Sequence, residues 1–185
     1  MKILCIDLEA TCWDHTPGPR GEGAFDPYVS EIIEVGIATL DTESPEIMKE
    51  QILIKPLASP VSEFCTNLTG LTQERLDKEG LSKANAWDLM SRRWKKGRYW
   101  CSWDNYDMKQ LMADSALFGL KMPFHPVWHN NVKTTFGLFF AGGKSDGLEK
   151  ALNKLGMRFE GRPHCGADDA YNLARIVRFL RVTSY

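Results

Sequence analysis

Apolar residues recur along this chain with two periods. Lys2 to Leu8 opens on Ile3-Leu4-Cys5-Ile6, a short, partly β-branched run that suits a strand buried on both faces. Glu31 to Asp41 (EIIEVGIATLD) and Ile47 to Lys55 (IMKEQILIK) read as two more strands, and the Ser44-Pro45 turn joins them closely enough for a hairpin. Tyr99 to Trp103 and Val127-Trp128 supply two further short strands. Elsewhere the period is helical. Ser82 reads as an N-cap, with Ala86, Leu89, Met90 and Trp94 following at helical spacing and Gly97 as the stop. Met108, Leu111, Met112, Ser115 and Leu117-Phe118 predict a helix ending at Gly119, and Val132 to Phe140 predicts another. Gly147 to Leu155 predicts a further helix, stopped by Gly156. In the last helix Ala170, Leu173, Ala174, Val177 and Leu180 form one apolar stripe, with Arg175, Arg178 and Arg181 largely off it. This order predicts an α/β protein with a central mixed five-stranded sheet flanked by helices.

Trp13 to Ser30 breaks the pattern. Pro17, Gly18, Pro19, Gly21, Gly23 and Pro27 predict a long flexible loop, a feature often kept for function. The 185 residues are 43 % hydrophobic and 25 % charged, which excludes a disordered or collagen-like chain and predicts one domain over residues 1–185. Lys and Arg number 23 against 24 Asp and Glu, a net charge of −1, so no global field draws the protein to nucleic acid or membrane. A nucleic-acid partner must then be held by a local patch or by metal ions. No run reaches the roughly 18 apolar residues of a membrane span, and the first apolar segment is too short for a signal peptide. Cys5, Cys12, Cys65, Cys101 and Cys165 are odd in number and form no C-x-x-C pair. They read as reduced thiols of a cytoplasmic protein.

Three acidic features bear on chemistry. Asp7 and Glu9 lie at the end of a strand that should be buried, and residues two apart on a strand share a face. Two ionised carboxylates there repel unless the strand end reaches water or a cation joins them. Hard oxygen ligands suit Mg²⁺ or Mn²⁺. Asp104 and Asp107 sit at a predicted helix start, where each reads as a cap or one as a metal ligand. His164 precedes Asp168 and Asp169, two acids in the first turn of the last helix. A His beside acidic metal ligands is suited to deprotonating water near neutral pH.

Taken in order, these segments resemble the DEDDh exonucleases of the ribonuclease-H-like superfamily. The resemblance rests on Ile6-Asp7-Leu8-Glu9-Ala10-Thr11-Cys12, on Asn105 to Leu111, and on His164 to Ala170. Within it Asp107 matches the D-x-x-x-L spacing and Asp169 the H-x4-D spacing, whereas Asp104 and Asp168 do not. Glu31 to Gly36 resembles the family's second strand, and Leu68 to Thr72 a loop that meets the terminal nucleotide in relatives. The wording of the first and third motifs is closest to the subfamily that trims 3′ ends of histone messenger and small RNAs.

The resemblance implies a ribonuclease-H-like fold and 3′-to-5′ hydrolysis of single-stranded RNA or DNA 3′ ends to nucleoside 5′-monophosphates. It implies that Asp7, Glu9, Asp107 and Asp169 hold two divalent ions, Mg²⁺ or Mn²⁺, with Asp7 shared between them, and that His164 is the general base. Ala10 and Thr11, through their backbone, and Leu68 are the expected contacts to the terminal sugar and base. Trp13 either stacks on a base or packs against its own loop. Trp87 and Trp94, at helical spacing, are expected in the core or at a groove edge. Arg92, Arg93, Lys95, Lys96 and Arg98 form a basic run that reads as a solvated helix end or as a phosphate-tracking patch. His125 and His129 are not expected to pair on a metal, because Pro126 interrupts any helix between them. The competing reading is a catalytically weak, nucleic-acid-binding regulatory adaptor on the same fold.

Overall fold

The computed structural model describes residues 1–14, 29–94, 99–143 and 146–182. The first apolar run becomes β1 (Lys2–Ala10), in which Leu4, Cys5, Ile6, Leu8 and Ala10 are all buried. Successive strand residues point to opposite faces, so burial of consecutive residues requires cover on both sides. β2 (Ile32–Asp41) pairs antiparallel with β1, and β3 (Ile47–Leu53) pairs antiparallel with β2. β4 (Tyr99–Ser102) and β5 (His129–Asn131) continue the sheet on the other side of β1, both parallel to their neighbours. The order is β3-β2-β1-β4-β5, the mixed five-stranded sheet expected from the pattern.

One strand moves. Pro126–Trp128 is a single 3-10 turn, and the strand begins at His129. Pro126 fixes φ for the first position of a turn, and the His125 ring accepts from the Val127 N–H at 3.3 Å. Two helices were not anticipated: α1 (Glu63–Thr69) and α2 (Gln73–Glu79), seven residues each. Neither buries enough residues to write a stripe into the sequence: Cys65 and Thr69 in the first, Leu76 in the second. Both start at a hydroxyl cap, Ser62 accepting from the Cys65 N–H and Thr72 from the Arg75 N–H.

The longer helices fall where the periodicity puts them. α3 (Lys83–Arg93) follows the Ser82 cap, and its expected stop, Gly97, lies outside the described residues. α4 (Tyr106–Leu117), α5 (Val132–Phe140), α6 (Leu148–Lys154) and α7 (Gly166–Val182) complete the order.

Side-chain parity on β1 divides the core. Leu4, Ile6 and Leu8 pack with Trp87, Met90 and Trp94 of the α3 segment and with Leu111 of α4. Cys5 faces the other way, with Phe136, Leu152, Leu173, Ala174 and Ile176 of α5, α6 and α7. Trp87 and Trp94 are therefore core residues. Of the predicted loop 13–30, residues 15–28 lie outside the described residues. No described helix is long and apolar enough to cross a membrane.

Candidate active site

Asp7 and Glu9 share the parity of Cys5, so they project toward the α7 side of the sheet. Asp7 is opposite Gly36 in the β1–β2 ladder. A Cβ on Gly36 would lie 1.9 Å from the carbonyl carbon of Gly166, so the strand admits only glycine beneath the first residue of α7. A Cβ on Gly166 would lie 3.1 Å from the Asp7 carbonyl oxygen. The two glycines let helix and strand touch. Asp169, three residues into α7, is thereby delivered to the acids of β1. Asp7, Glu9 and Asp169 each offer an oxygen, all within 4.8 Å of one another. Asp107 comes from the first turn of α4, is buried, and accepts the Leu8 N–H on Oδ1 at 3.0 Å.

Tertiary structure separates each pair of neighbouring acids. Asp104 caps its own turn, accepting the Tyr106 N–H at 2.7 Å, and lies 3.5 Å from Lys133 Nζ. Asp168 accepts the Arg162 N–H at 2.9 Å and pairs with Lys49 of β3 at 2.5 Å. Asp107 and Asp169 are the members that face the β1 acids.

The electrostatics of the cluster are unfavourable as it stands. Burial raises the Asp7 carboxyl well above the usual carboxylate range, and the charges of Asp107, Asp169, Glu9 and Glu34 raise it further. Glu9 is pushed up to about 8 by burial first and then by Glu34, Asp169 and Asp107, with Arg162 acting in the opposite sense. Burial pushes Asp107 up to about 7 and Asp169 up to about 6, although backbone hydrogen bonds from Leu8 to Asp107 and from His164 and Cys165 to Asp169 oppose it. Such a set holds protons at neutral pH or takes up a cation. Asp169 Oδ2 is buried with no hydrogen-bond partner among the described residues. An orphaned carboxylate oxygen within a group of hard oxygen donors fits a divalent cation.

His164 stands on the exposed loop that feeds α7, and it is the one non-glycine residue at positive φ among the described residues, at 60°. The neighbouring acid Glu34 was not anticipated as part of the site. It lies directly across from Glu9 in the ladder, is 1 % exposed, and accepts from Ala167 N–H at 3.2 Å and Gln51 Nε2 at 2.9 Å. An acid inside the otherwise apolar strand EIIEVG is the signal that marks it. A second buried network lies close by. Lys83 Nζ contacts Glu31 at 3.0 Å and Asp114 at 2.8 Å, and the Glu31 carboxylate also accepts the N–H groups of Leu57, Ala58 and Ser59.

The expected nucleotide contacts have other engagements. The Thr11 N–H donates to the Glu31 carbonyl at 2.9 Å, and its hydroxyl accepts from the Glu31 N–H at 3.0 Å. The Ala10 carbonyl accepts from the Cys65 thiol at 3.6 Å. Leu68 is half-buried near the end of α1, its carbonyl accepting from Arg162 Nη2 at 3.2 Å, and Trp13 is half-buried at the edge of the described segment. In the basic run, Arg92 pairs with Asp88 at 2.8 Å and Arg93 with Glu50, whereas Lys95, Lys96 and Arg98 lie outside the described residues. His125 and His129 each have separate partners: Val127 N–H for the first, and Ser102 Oγ at 2.7 Å for the second.

The strand order and the acid set define an exonuclease domain of the ribonuclease-H-like fold. The profile of the exonuclease family (RNase_T) matches residues 4–177, and the chain belongs to that family. It is 36 % identical over 191 residues to the 3'-5' exoribonuclease 1 of Homo sapiens, covering 97 % of this chain and 52 % of that protein. The chain thus spans about half the length of the curated relatives it matches. A solved structure described as the nuclease domain of 3'hExo, a DEDDh family member, bound to rAMP is 30 % identical with a TM-score of 0.81, covering 98 % of this chain and 92 % of that one. Another, described as 3'-end specific recognition of histone mRNA stem-loop by 3'-exonuclease, is 31 % identical with a TM-score of 0.76, covering 98 % and 82 %. DEDDh exonucleases use divalent metal ions.

Proposed function

We propose that the chain is a metal-dependent 3′-to-5′ exonuclease that trims single-stranded RNA, ahead of DNA, to nucleoside 5′-monophosphates. The observation that carries this reading is the convergence of Asp7, Glu9 and Asp169 within 4.8 Å, with one Asp169 oxygen buried and unpartnered. Asp7, Glu9, Asp107 and Asp169 are the residues that would hold two Mg²⁺ or Mn²⁺ ions. Bound there, the ions would acidify the attacking water and offset charge on the phosphate and the leaving 3′ oxygen. His164, outside the cluster on the loop before α7, takes the proton from that water as general base. The Asp169 N–H donates to the Cys165 carbonyl at 2.9 Å, so the loop of the base and one acid are joined at the first turn of α7.

Leu68, Trp13 and the backbone at Ala10 and Thr11 flank the position of the terminal nucleotide. The preference for RNA is supported by the relatives, described as exoribonucleases or as bound to rAMP and a histone mRNA stem-loop. Residues 1–185 act as one exonuclease domain on this reading. A reducing, cytoplasmic compartment agrees with five free thiols.

The test is degradation of matched 5′-labelled single-stranded RNA and DNA in Mg²⁺, in Mn²⁺ and in chelator. The expected result is a ladder shrinking from the 3′ end, faster on RNA, abolished by chelator and by Asp7→Ala and slowed by His164→Ala. An Asp7→Ala protein that trims as fast as the wild type overturns the reading.

A further inference from the structure

We propose that Arg162 is a positioning residue, a latch that fastens the loop bearing His164 to the turn between α1 and α2. The inference rests on the exonuclease reading above and deepens it.

The loop needs such a fastening. It holds two left-handed residues, Gly161 at φ 93° and His164 at φ 60°. For the histidine, that backbone persists only where the surroundings impose it. One tether is local. The Asp168 carboxylate accepts the Arg162 N–H on Oδ2 and the Lys49 ammonium on Oδ1, and Gly161 packs so closely that a Cβ there would lie 2.3 Å from Asp168 Cγ.

The second tether is long-range. The Arg162 side chain crosses to residues 94 positions earlier in the chain and donates from Nη2 to the Leu68 carbonyl at 3.2 Å. Its guanidinium occupies the place where a side chain on residue 70 would stand. A Cβ on Gly70 would lie 1.9 Å from Nη1 and 2.8 Å from Cζ. Gly70, at φ 74°, is also the left-handed cap of α1, so one glycine both ends the helix and seats the arginine.

Among the described residues the guanidinium forms no ion pair. It is held by a neutral carbonyl and by shape, and its charge acts on the Glu9 carboxyl. The latch spans from the loop of the general base to Leu68, the residue set beside the terminal nucleotide. Releasing it frees His164, two residues along. The Leu68 end is held in α1 whether or not Arg162 is present, whereas the His164 end lies in an exposed loop, so the loss falls mainly on turnover. A lysine retains one donor for the Leu68 carbonyl but lacks the flat fork that fills the seat.

The test compares wild type, Arg162→Ala, Arg162→Lys, Gly70→Ala and the Arg162→Ala/Gly70→Ala double variant, on 5′-labelled single-stranded RNA in Mg²⁺. Displacing a catalytic group by about 1 Å costs up to roughly 10²-fold. Arg162→Ala is expected to lower kcat by roughly 10- to 100-fold with KM near the wild-type value, and Arg162→Lys to recover part of that loss. The Gly70→Ala methyl evicts the guanidinium, so it lowers kcat as well and adds nothing further to the kcat loss in the Arg162→Ala background, while the strain of an alanine at left-handed φ lowers the melting temperature equally in both backgrounds.

Hydrogen exchange of residues 161–165, measured without substrate, reads the latch independently of catalysis and rises in Arg162→Ala and in Gly70→Ala. A rise in KM alone, additive kcat losses in the double variant, or unchanged exchange in residues 161–165 overturns the latch. A wild-type protein that produces no ladder while the exchange result holds overturns the exonuclease reading and leaves the latch standing as a property of the loop.

Discussion

Gly36 of β2 and Gly166 of α7 meet backbone to backbone, with a Cβ on Gly36 falling 1.9 Å from the Gly166 carbonyl carbon and 2.3 Å from the Ala167 nitrogen. The obstacle is backbone on a helix that carries Asp169, so it cannot swing aside as a side chain would. Gly36→Ala must push α7 off the sheet. It is expected to destabilise by about 1–3 kcal/mol or more, as overpacking does, and to lower exonuclease turnover because Asp169 moves with the helix. Urea unfolding followed by single-turnover assays on the folded variant checks both effects. Full activity in a stable variant would contradict this account of how Asp169 is positioned.

Glu9 and Glu34 lie directly opposite each other in an antiparallel ladder, both buried. Glu9, ordinarily near 4.5, is pushed up to about 8. Asp107 and Asp169, ordinarily near 3.8, are pushed up to about 7 and about 6. The folded protein binds these protons more tightly than the unfolded chain does. The resulting stability is complete below the unfolded values and is lost as pH rises through the folded ones. The melting temperature in chelator is therefore expected to fall between about pH 5 and about pH 8. Mg²⁺ or Mn²⁺ should reverse the trend, because the cation binds the ionised carboxylates. Melting curves across that range, with and without the ions, decide it.

Asp7 is raised well above the usual carboxylate range, by burial first and then by four neighbouring acids. Asp7→Asn removes one of the mutually repelling carboxylates. The metal-free variant is expected to melt at or above the wild-type temperature at pH 8, while turnover falls by roughly 10³-fold through loss of cation binding. Calorimetric titration with Mn²⁺ supplies the direct measure of that binding. A variant that is both unstable and still able to bind the ion would contradict the electrostatic account.

Lys83 is 1 % exposed and lies between the buried carboxylates of Glu31 and Asp114. Removing one partner of a buried ion pair leaves uncompensated charge at a cost of about 3–5 kcal/mol. Lys83→Met is expected to lose stability on that scale at neutral pH. Adding Asp114→Asn should return part of it, since fewer stranded charges remain. Chemical unfolding of the single and double variants measures the difference.

Local patterns carried a great deal of this molecule. Parity along β1 placed Asp7 and Glu9 on one face, and the period of three to four residues placed α3, α4, α5 and α7 close to their observed bounds. Both patterns are properties of neighbouring residues, and the physics that reads them is equally local. The short helices α1 and α2 escaped because each buries few residues, Cys65 and Thr69 in α1 and Leu76 in α2, too few to show a stripe; α6, equally short, was legible from the glycines that bracket it. Val127-Trp128 read as a strand because its residue types favour one, whereas Pro126 and the His125 cap turned the segment.

The remaining decisions required distance in the chain. Helix-start chemistry by itself left Asp104 and Asp107, and Asp168 and Asp169, open as caps or ligands; the motif spacing of the resemblance singled out Asp107 and Asp169 but gave no physical reason for it. Their separation into rim and centre came from Lys133, Lys49 and the Leu8 N–H, all contributed by other elements. Glu34, the Lys83 network and the Arg162 seat likewise depend on partners 17 to 133 residues away. The sequence by itself determined which residues could form the strands, the helices and an acid pair on one face. Only the tertiary structure decided which acids share a charge and which are neutralised. A carboxylate's state depends on burial and on the charges within a few ångströms of it, and those are set by how the sheet and helices pack.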